Sequence, residues 1–319
     1  MKVGRRLKLW LKLAISLALV FYLCRLIDFQ AMKGALTRVD ISFWILSTIL
    51  GVASIVIHAW KYSILVKNTE IEHSVSQMFR INLITRFYAL FMPTALGTEA
   101  VRWCKVTGGR KDGTGFLAAT LFERSIFVSL LLAAGLIPFL IYPSPDDNLE
   151  QLIFTTAPIL ISALVLCLIF ISYFVFSSFQ EMVRSVSAKI LPAKKWGEWL
   201  KIRVHNFGLS QGSPYLYFRI ILLTIAWLMI YILRVYFLTR AVDVPLEIID
   251  ISWMASLVLL LQMLPISFSG IGVREGAYAY IFAIFGLPPE SGILVGLLFF
   301  MQMLVYAAMG WIVELSGKA

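Results

Sequence analysis

The stretch LPISFSGIGVREGAY, Leu264 to Tyr278, lies inside an apolar region spanning roughly 250–287, yet it holds a proline, three glycines, two serines, an arginine and a glutamate. Neither side of this break is comfortably long enough to cross a bilayer core, which takes about 20 apolar residues as a helix. A second apolar region, 75–106, is interrupted in the same way by MPTALGTEAVR, Met92 to Arg102. Around these two regions, apolar runs near 8–27, 43–66, 115–142, 152–176, 216–239 and 291–314 are long enough to span. The expected fold is all-α and polytopic: six spanning helices plus two re-entrant broken-helix hairpins.

Composition points the same way. Of 319 residues, 60% are hydrophobic and 14% charged, and the mean hydropathy is +0.86; a soluble globule of this size needs more polar surface. The formal net charge of +10 raises nucleic acid as a partner. The bases, however, cluster in short loops between apolar runs, where topology and lipid headgroups explain them better. Cys24, Cys104 and Cys167 are isolated, so a disulfide scaffold, a metal site and a redox motif all lack support. The N-terminal MKVGRRLKLWLK and the apolar run after it resemble a signal peptide, but without a small-x-small cleavage site they read as a retained first span.

Loop charge sets an orientation. Lys2, Arg5, Arg6, Lys8 and Lys12 precede the first run and argue for a cytoplasmic N-terminus. Region 75–106 has basic flanks on both sides and reads as a hairpin entering from the cytoplasm. Region 250–287 follows the acidic VDVPLEIID and reads as a hairpin entering from outside, with the last span running inward to a cytoplasmic C-terminus. Each hairpin stands between two spans, and the two units have opposite orientation. This is the pattern of an inverted repeat with paired broken helices, which in transporters marks a site near the midplane. The chain thus reads as one integral membrane domain, 1–319, with a cytoplasmic amphipathic segment at 177–214, where Phe179, Met182, Val183, Val186 and Ile190 recur at helical spacing.

The breaks carry the candidate chemistry. Pro93 and Pro265 interrupt the helices, and Gly97, Gly270 and Gly272 permit close backbone approach. After each break the chain resumes as a helix, whose free N–H groups favour a phosphate or carboxylate. Glu99 and Arg102 share a helix face near the first resumed N-terminus; Arg274 and Glu275 are adjacent near the second. An arginine forks onto two phosphate oxygens, so Arg102 and Arg274 are candidate anion-binding residues. The alternative is that these charges pair across the hairpins only to neutralise one another. Glu123 and Arg124 lie about two turns into the third span and either face the same cavity or brace the first hairpin. Arg86 faces the site or snorkels to the interface; His58 and Arg234 read as packing or interface anchors. GGRKDGTG, Gly108 to Gly115, lacks the order of a phosphate loop and reads as a cytoplasmic turn. No catalytic motif, metal cluster or cofactor motif is visible.

Three segments, PTALGTEAVR (Pro93 to Arg102), FERS (Phe122 to Ser125) and above all LPISFSGIGVREGAY, make the chain resemble a flippase-like family related to the transmembrane half of lysyl-phosphatidylglycerol synthases. The family's first motif resembles P-x-x-x-G-G-[DE]-x-x-R; Thr98 stands at a usual glycine position and the charged pair is kept. The chain ends at Ala319, soon after the last apolar run, so the resemblance implies the lipid-translocating part alone. It implies a lipid flippase or transporter in the plasma membrane of a bacterium or archaeon, acting on a phospholipid or polyprenyl-linked phosphate with an anionic headgroup. The alternatives are a membrane enzyme or accessory subunit acting on a lipid carrier, or a noncatalytic envelope-biogenesis scaffold. A homo-oligomer and an envelope-biosynthesis partner stay open.

Overall fold

A computed structural model describes residues 34, 37–67, 73–92, 95–108, 114–141, 160–169, 171, 214–244, 246–263, 267 and 270–317. The expected first span, 8–27, and the amphipathic segment 177–214 lie outside them, apart from Pro214. Each regular element among the described residues is an α-helix. They are α1 (Ile41–Val66), α2 (Val75–Ala89), α3 (Ala95–Thr107), α4 (Thr114–Ile141), α5 (Leu160–Ile169), α6 (Pro214–Ala241), α7 (Ile248–Met263), α8 (Val273–Ile284) and α9 (Pro289–Leu315).

Four of these are long and apolar enough to cross a membrane: α1, the Ala119–Ile137 part of α4, the Tyr215–Ala241 part of α6, and α9. Their outer faces stay apolar, as Ile41, Ile45, Ile49, Val56 and Trp60 on α1 illustrate. Such a stripe needs lipid, not water, beside it. Of the expected span 152–176, α5 and Ile171 are described.

The two interrupted regions form helical hairpins, α2 with α3 and α7 with α8. The longest limb, α7, has 16 residues. At 1.5 Å per residue this gives about 24 Å, short of the ~30 Å hydrocarbon core. The first hairpin starts sharply because Ser74 forms a capping box: its Oγ accepts from Gln77 N at 3.2 Å, while Gln77 Oε1 accepts from Ser74 N at 2.8 Å. The helix then tightens at its end, where Leu90, Phe91 and Met92 donate to carbonyls three residues back.

Helices α1 and α6 run antiparallel along each other. Asp40 N donates to Ala241 O at 2.9 Å, Ser47 Oγ to Arg234 O at 3.0 Å, and Lys61 Nζ reaches Thr224 Oγ1 at 3.4 Å. The other helices arrange around this pair in a repeated way. Under exchange of α1, α2, α3 and α4 with α6, α7, α8 and α9, the packing of α1 on α2 recurs as α6 on α7. Likewise α2 on α3 recurs as α7 on α8, α2 on α9 as α7 on α4, and α1 on α4 as α6 on α9. The same holds for α1 on α9 with α6 on α4, and for α3 on α4 with α8 on α9.

That last couple is uneven. Helix α8 packs closely along α9, where Gly292 leaves room for the backbone of Tyr278: a Cβ there would stand 2.6 Å from the Tyr278 carbonyl oxygen. Helix α3 touches α4 over a much shorter stretch. A polar cavity opens beside α3.

Candidate functional site

The cavity has a volume of about 240 Å³ and is bordered by both hairpins. From α1 come His58 and Lys61; from α2, Thr85 and Arg86; from α3, Thr98, Glu99 and Arg102; from α4, Glu123, Arg124 and Phe127. The second half supplies Trp227, Leu259, Gln262, Met263, Ser267, Gly270 and Met303. Thr98 stands in the first turn of α3 and Gly270 just before α8, so both resumed helices bring their N-terminal ends to the wall.

A closed ring of polar contacts forms one side. Glu99 and Arg102 sit three residues apart on α3, on one face, and Arg102 Nη1 donates to Glu99 Oε2 at 2.6 Å. Arg124 Nη2 reaches the other oxygen of Glu99. Glu123, one residue earlier on α4 and therefore rotated by about 100°, points to Lys61 instead and forms an ion pair in which both side chains are 1% exposed. Glu123 Oε2 lies 3.4 Å from Tyr62 Oη and 3.9 Å from Arg124 Nε. Arg102 Nη1 closes the ring, donating to Tyr62 Oη at 3.3 Å, with its guanidinium 4.9 Å from the Tyr62 ring centroid.

This ring answers why the charges are tolerated in an apolar chain. A lone buried ion is costly in low dielectric, and pairing with further hydrogen bonds offsets that cost. Yet the balance is uneven. Among the described residues, four bases, Lys61, Arg86, Arg102 and Arg124, face the cavity against two acids, Glu99 and Glu123.

The predicted residues divide between the wall and the packing behind it. Glu99, Arg102, Glu123, Arg124 and Gly270 line the cavity. Gly97 packs on Met92, whose Sδ would stand 3.0 Å from an added Cβ. Gly272 has φ 83°, a left-handed geometry that favours glycine, and its N–H donates to Glu275 Oε2 at 2.7 Å, so Glu275 caps α8. Arg274 is 0% exposed. Its Nε and Nη2 donate to Glu275 Oε1 at 3.1 and 2.5 Å, its Nη1 lies 3.3 Å from Met303 Sδ, and its guanidinium stands 5.4 Å from the Phe299 ring centroid. Met303 also lines the cavity, so Arg274 stands one side chain behind the wall. The helix-breaking Pro93 and Pro265 lie outside the described residues.

Sequence reasoning missed Lys61. A lysine close to the end of an apolar run looks like a snorkelling residue; the usable signal was Glu123, an acid within another span that needs a cation. His58 lines the cavity too, with its ring 4.7 Å from that of Tyr62. Arg234 does pack: it is 5% exposed and donates to Gln302 Oε1 at 2.7 Å.

A charged cavity among helices of which four are long and apolar enough to cross a membrane defines a membrane protein with a buried polar site. The chain belongs to the lysylphosphatidylglycerol synthase TM region family, whose model matches residues 9–310. No curated protein matches it, and no solved structure does.

Proposed function

We propose that the protein moves a phosphate-bearing lipid, a phospholipid or a polyprenyl-linked phosphate, between the leaflets of a bacterial or archaeal plasma membrane, the inner membrane where there are two. The observation that carries this reading is the excess of cations in a cavity built by two broken helical hairpins. A headgroup phosphate would meet Arg102 and Arg124 and the N-terminal ends of α3 and α8, while its acyl chains stay in lipid. About 240 Å³ is below the roughly 300–1,000 Å³ that encloses a whole drug-sized ligand; it suits a headgroup.

The repeated packing of the two four-helix sets and the antiparallel course of α1 and α6 support an inverted repeat with re-entrant hairpins, and the basic N-terminal stretch supports cytoplasmic termini. In such a repeat, exchanging the looser α3–α4 packing for the tighter α8–α9 arrangement would close the cavity on one side and open it on the other. Family membership supports a lipid-related role.

The test is leaflet exchange in vesicles containing the purified protein, with fluorescent phosphatidylglycerol and polyprenyl phosphate as cargo. Exchange should exceed that of protein-free vesicles, and Arg102→Ala or Arg124→Ala should slow it by about tenfold, the loss of ~1.4 kcal/mol of headgroup binding. Equal rates with and without protein, for every phosphate-bearing lipid tried, would sink the proposal.

A further inference from the structure

The geometry points to a proton site in the cavity wall: Lys61 and Glu123 form a pair that takes up one proton, on the Glu123 carboxylate, when a headgroup phosphate binds, so that proton and lipid move together. The inference rests on the lipid-transport reading and concerns what travels with the cargo.

The ring of charges has two chemically different halves. Glu99 is held by Arg102 and Arg124, and a guanidinium keeps its proton in any protein. Two permanent cations therefore hold that carboxylate ionised. In the other half Glu123 meets Lys61, among the described residues the one lysine on the wall, and both side chains are 1% exposed. An ammonium and a carboxylate can each change protonation state. Tyr62 joins the halves: its Oη accepts from Arg102 Nη1 at 3.3 Å and donates to Glu123 Oε2 at 3.4 Å.

Glu123 depends on one cation. Its Oε1 takes Lys61, whereas Oε2 has the Tyr62 hydroxyl and, at 3.9 Å, Arg124 Nε; Arg124 is committed to Glu99. Lys61 is the movable member of the pair, because its charge sits at the end of a flexible four-carbon stem and the residue lines the cavity. Its hydrogen bond to Thr224 Oγ1 is long, at 3.4 Å, and made to a neutral group.

A phosphate in the cavity competes with Glu123 for the ammonium. Once Lys61 turns to the phosphate, Glu123 is a buried carboxylate without its principal counter-charge, and protonation is the cheapest way to relieve it. The step balances: the Lys61–Glu123 ion pair breaks, one proton from solution forms an O–H bond on Glu123, and the ammonium keeps its own three. When the phosphate leaves, the pair re-forms and the proton is released. With a phosphodiester whose headgroup is otherwise uncharged, proton and lipid together carry no net charge across the membrane. The other titratable or charged groups around the pair are His58 and Tyr62 on α1, Arg86 on α2, Glu99 and Arg102 on α3, and Arg124 on α4. Of these, His58 is the rival for a proton near neutral pH.

The experiment uses the full chain and phosphatidylglycerol. Calorimetric binding in detergent, repeated in buffers of different ionisation heat, counts protons taken up per lipid bound, and the expected count is about one. Affinity should fall as pH rises, by at most about tenfold per unit, as one linked proton requires. In phosphatidylcholine vesicles holding the protein, a gradient of about one pH unit should draw labelled phosphatidylglycerol to the leaflet on the alkaline side, up to about tenfold over the other and beyond the effect in protein-free vesicles. Glu123→Gln, which cannot take the proton, should bring the count to zero. A lone buried lysine can harm folding, so the Lys61→Met, Glu123→Leu double variant is the second test. Its readings are the proton count and the ratio of exchange with and without the gradient, whatever its basal rate. A count of zero in the wild type, or no binding at all, overturns the inference; leaflet exchange seen beside a zero count leaves transport standing. A wild-type count in both variants assigns the proton to another group, His58 first, and also overturns it. Proton uptake without leaflet exchange keeps the linked site and removes the transport reading.

Discussion

Lys61 and Glu123 show what a single residue does in this chain. Each is 1% exposed, and each is the other's principal counter-charge. Removing one partner of a buried pair leaves the other ion uncompensated, at a cost of about 3–5 kcal/mol, whereas replacing both by apolar residues of similar volume is often neutral. Lys61→Ala and Glu123→Ala should each lower the melting temperature of the detergent-solubilised protein sharply, and the Lys61→Met, Glu123→Leu double variant should recover most of the loss. A double variant as unstable as the sum of the singles would show that the pair does not act as a unit. The same logic sets Arg86 apart: it lines the cavity and has no ion pair among the described residues.

At the scale of elements, close approach is decided by glycine. On α9, a Cβ at Gly292 would meet backbone of Tyr278 at 2.6 Å, and at Gly296 it would meet Glu275 Cα at 3.0 Å, so α8 lies against α9 with no space for side chains between. Gly135 on α4 is different, because an added Cβ would find Ser256 Cβ at an ordinary 3.6 Å. Gly292→Ala should therefore destabilise the protein by about 1–3 kcal/mol, as overpacking does, while Gly135→Ala stays close to wild type in thermal melting. Similar effects at both positions would contradict the close packing of α8 on α9. The tie at the other hairpin is polar: Glu314, at the end of α9, accepts from Tyr88 Oη at 3.2 Å and from Lys105 Nζ at 2.8 Å. One acid thereby holds α2 and α3 to α9.

For the whole molecule, the recurrence of each helix packing under exchange of the two sets predicts a topology. If the sets are inverted, the α1 end at Lys67 and the α6–α7 turn at Glu247 face opposite sides of the membrane. In a cysteine-free background, Lys67→Cys should react with a membrane-impermeant thiol reagent only from the cytoplasm, and Glu247→Cys only from outside. Labelling of both from one side would exclude the inverted arrangement. Both positions are exposed, so the reading does not depend on opening the fold.

The class of this protein, and the two apolar regions in which a helix stops and another begins, are legible from the residues alone. Hydropathy over about 20 residues is a local property, and so is a proline or glycine inside an apolar run. The sequence also marked Glu99, Arg102, Glu123 and Arg124 as charges with a reason to be inside, since an apolar chain does not hold ions idly. Which of them meet depends on how the helices pack. A helix turns about 100° per residue, so Glu123 and its neighbour Arg124 address different partners, and the cavity draws its wall from helices far apart in the chain. That geometry brought Lys61 to Glu123, left Arg86 without an ion pair among the described residues, and set Arg274 behind Met303. Charge type is written residue by residue; net charge at a site is a sum over neighbours, and the neighbours exist only once the helices have packed.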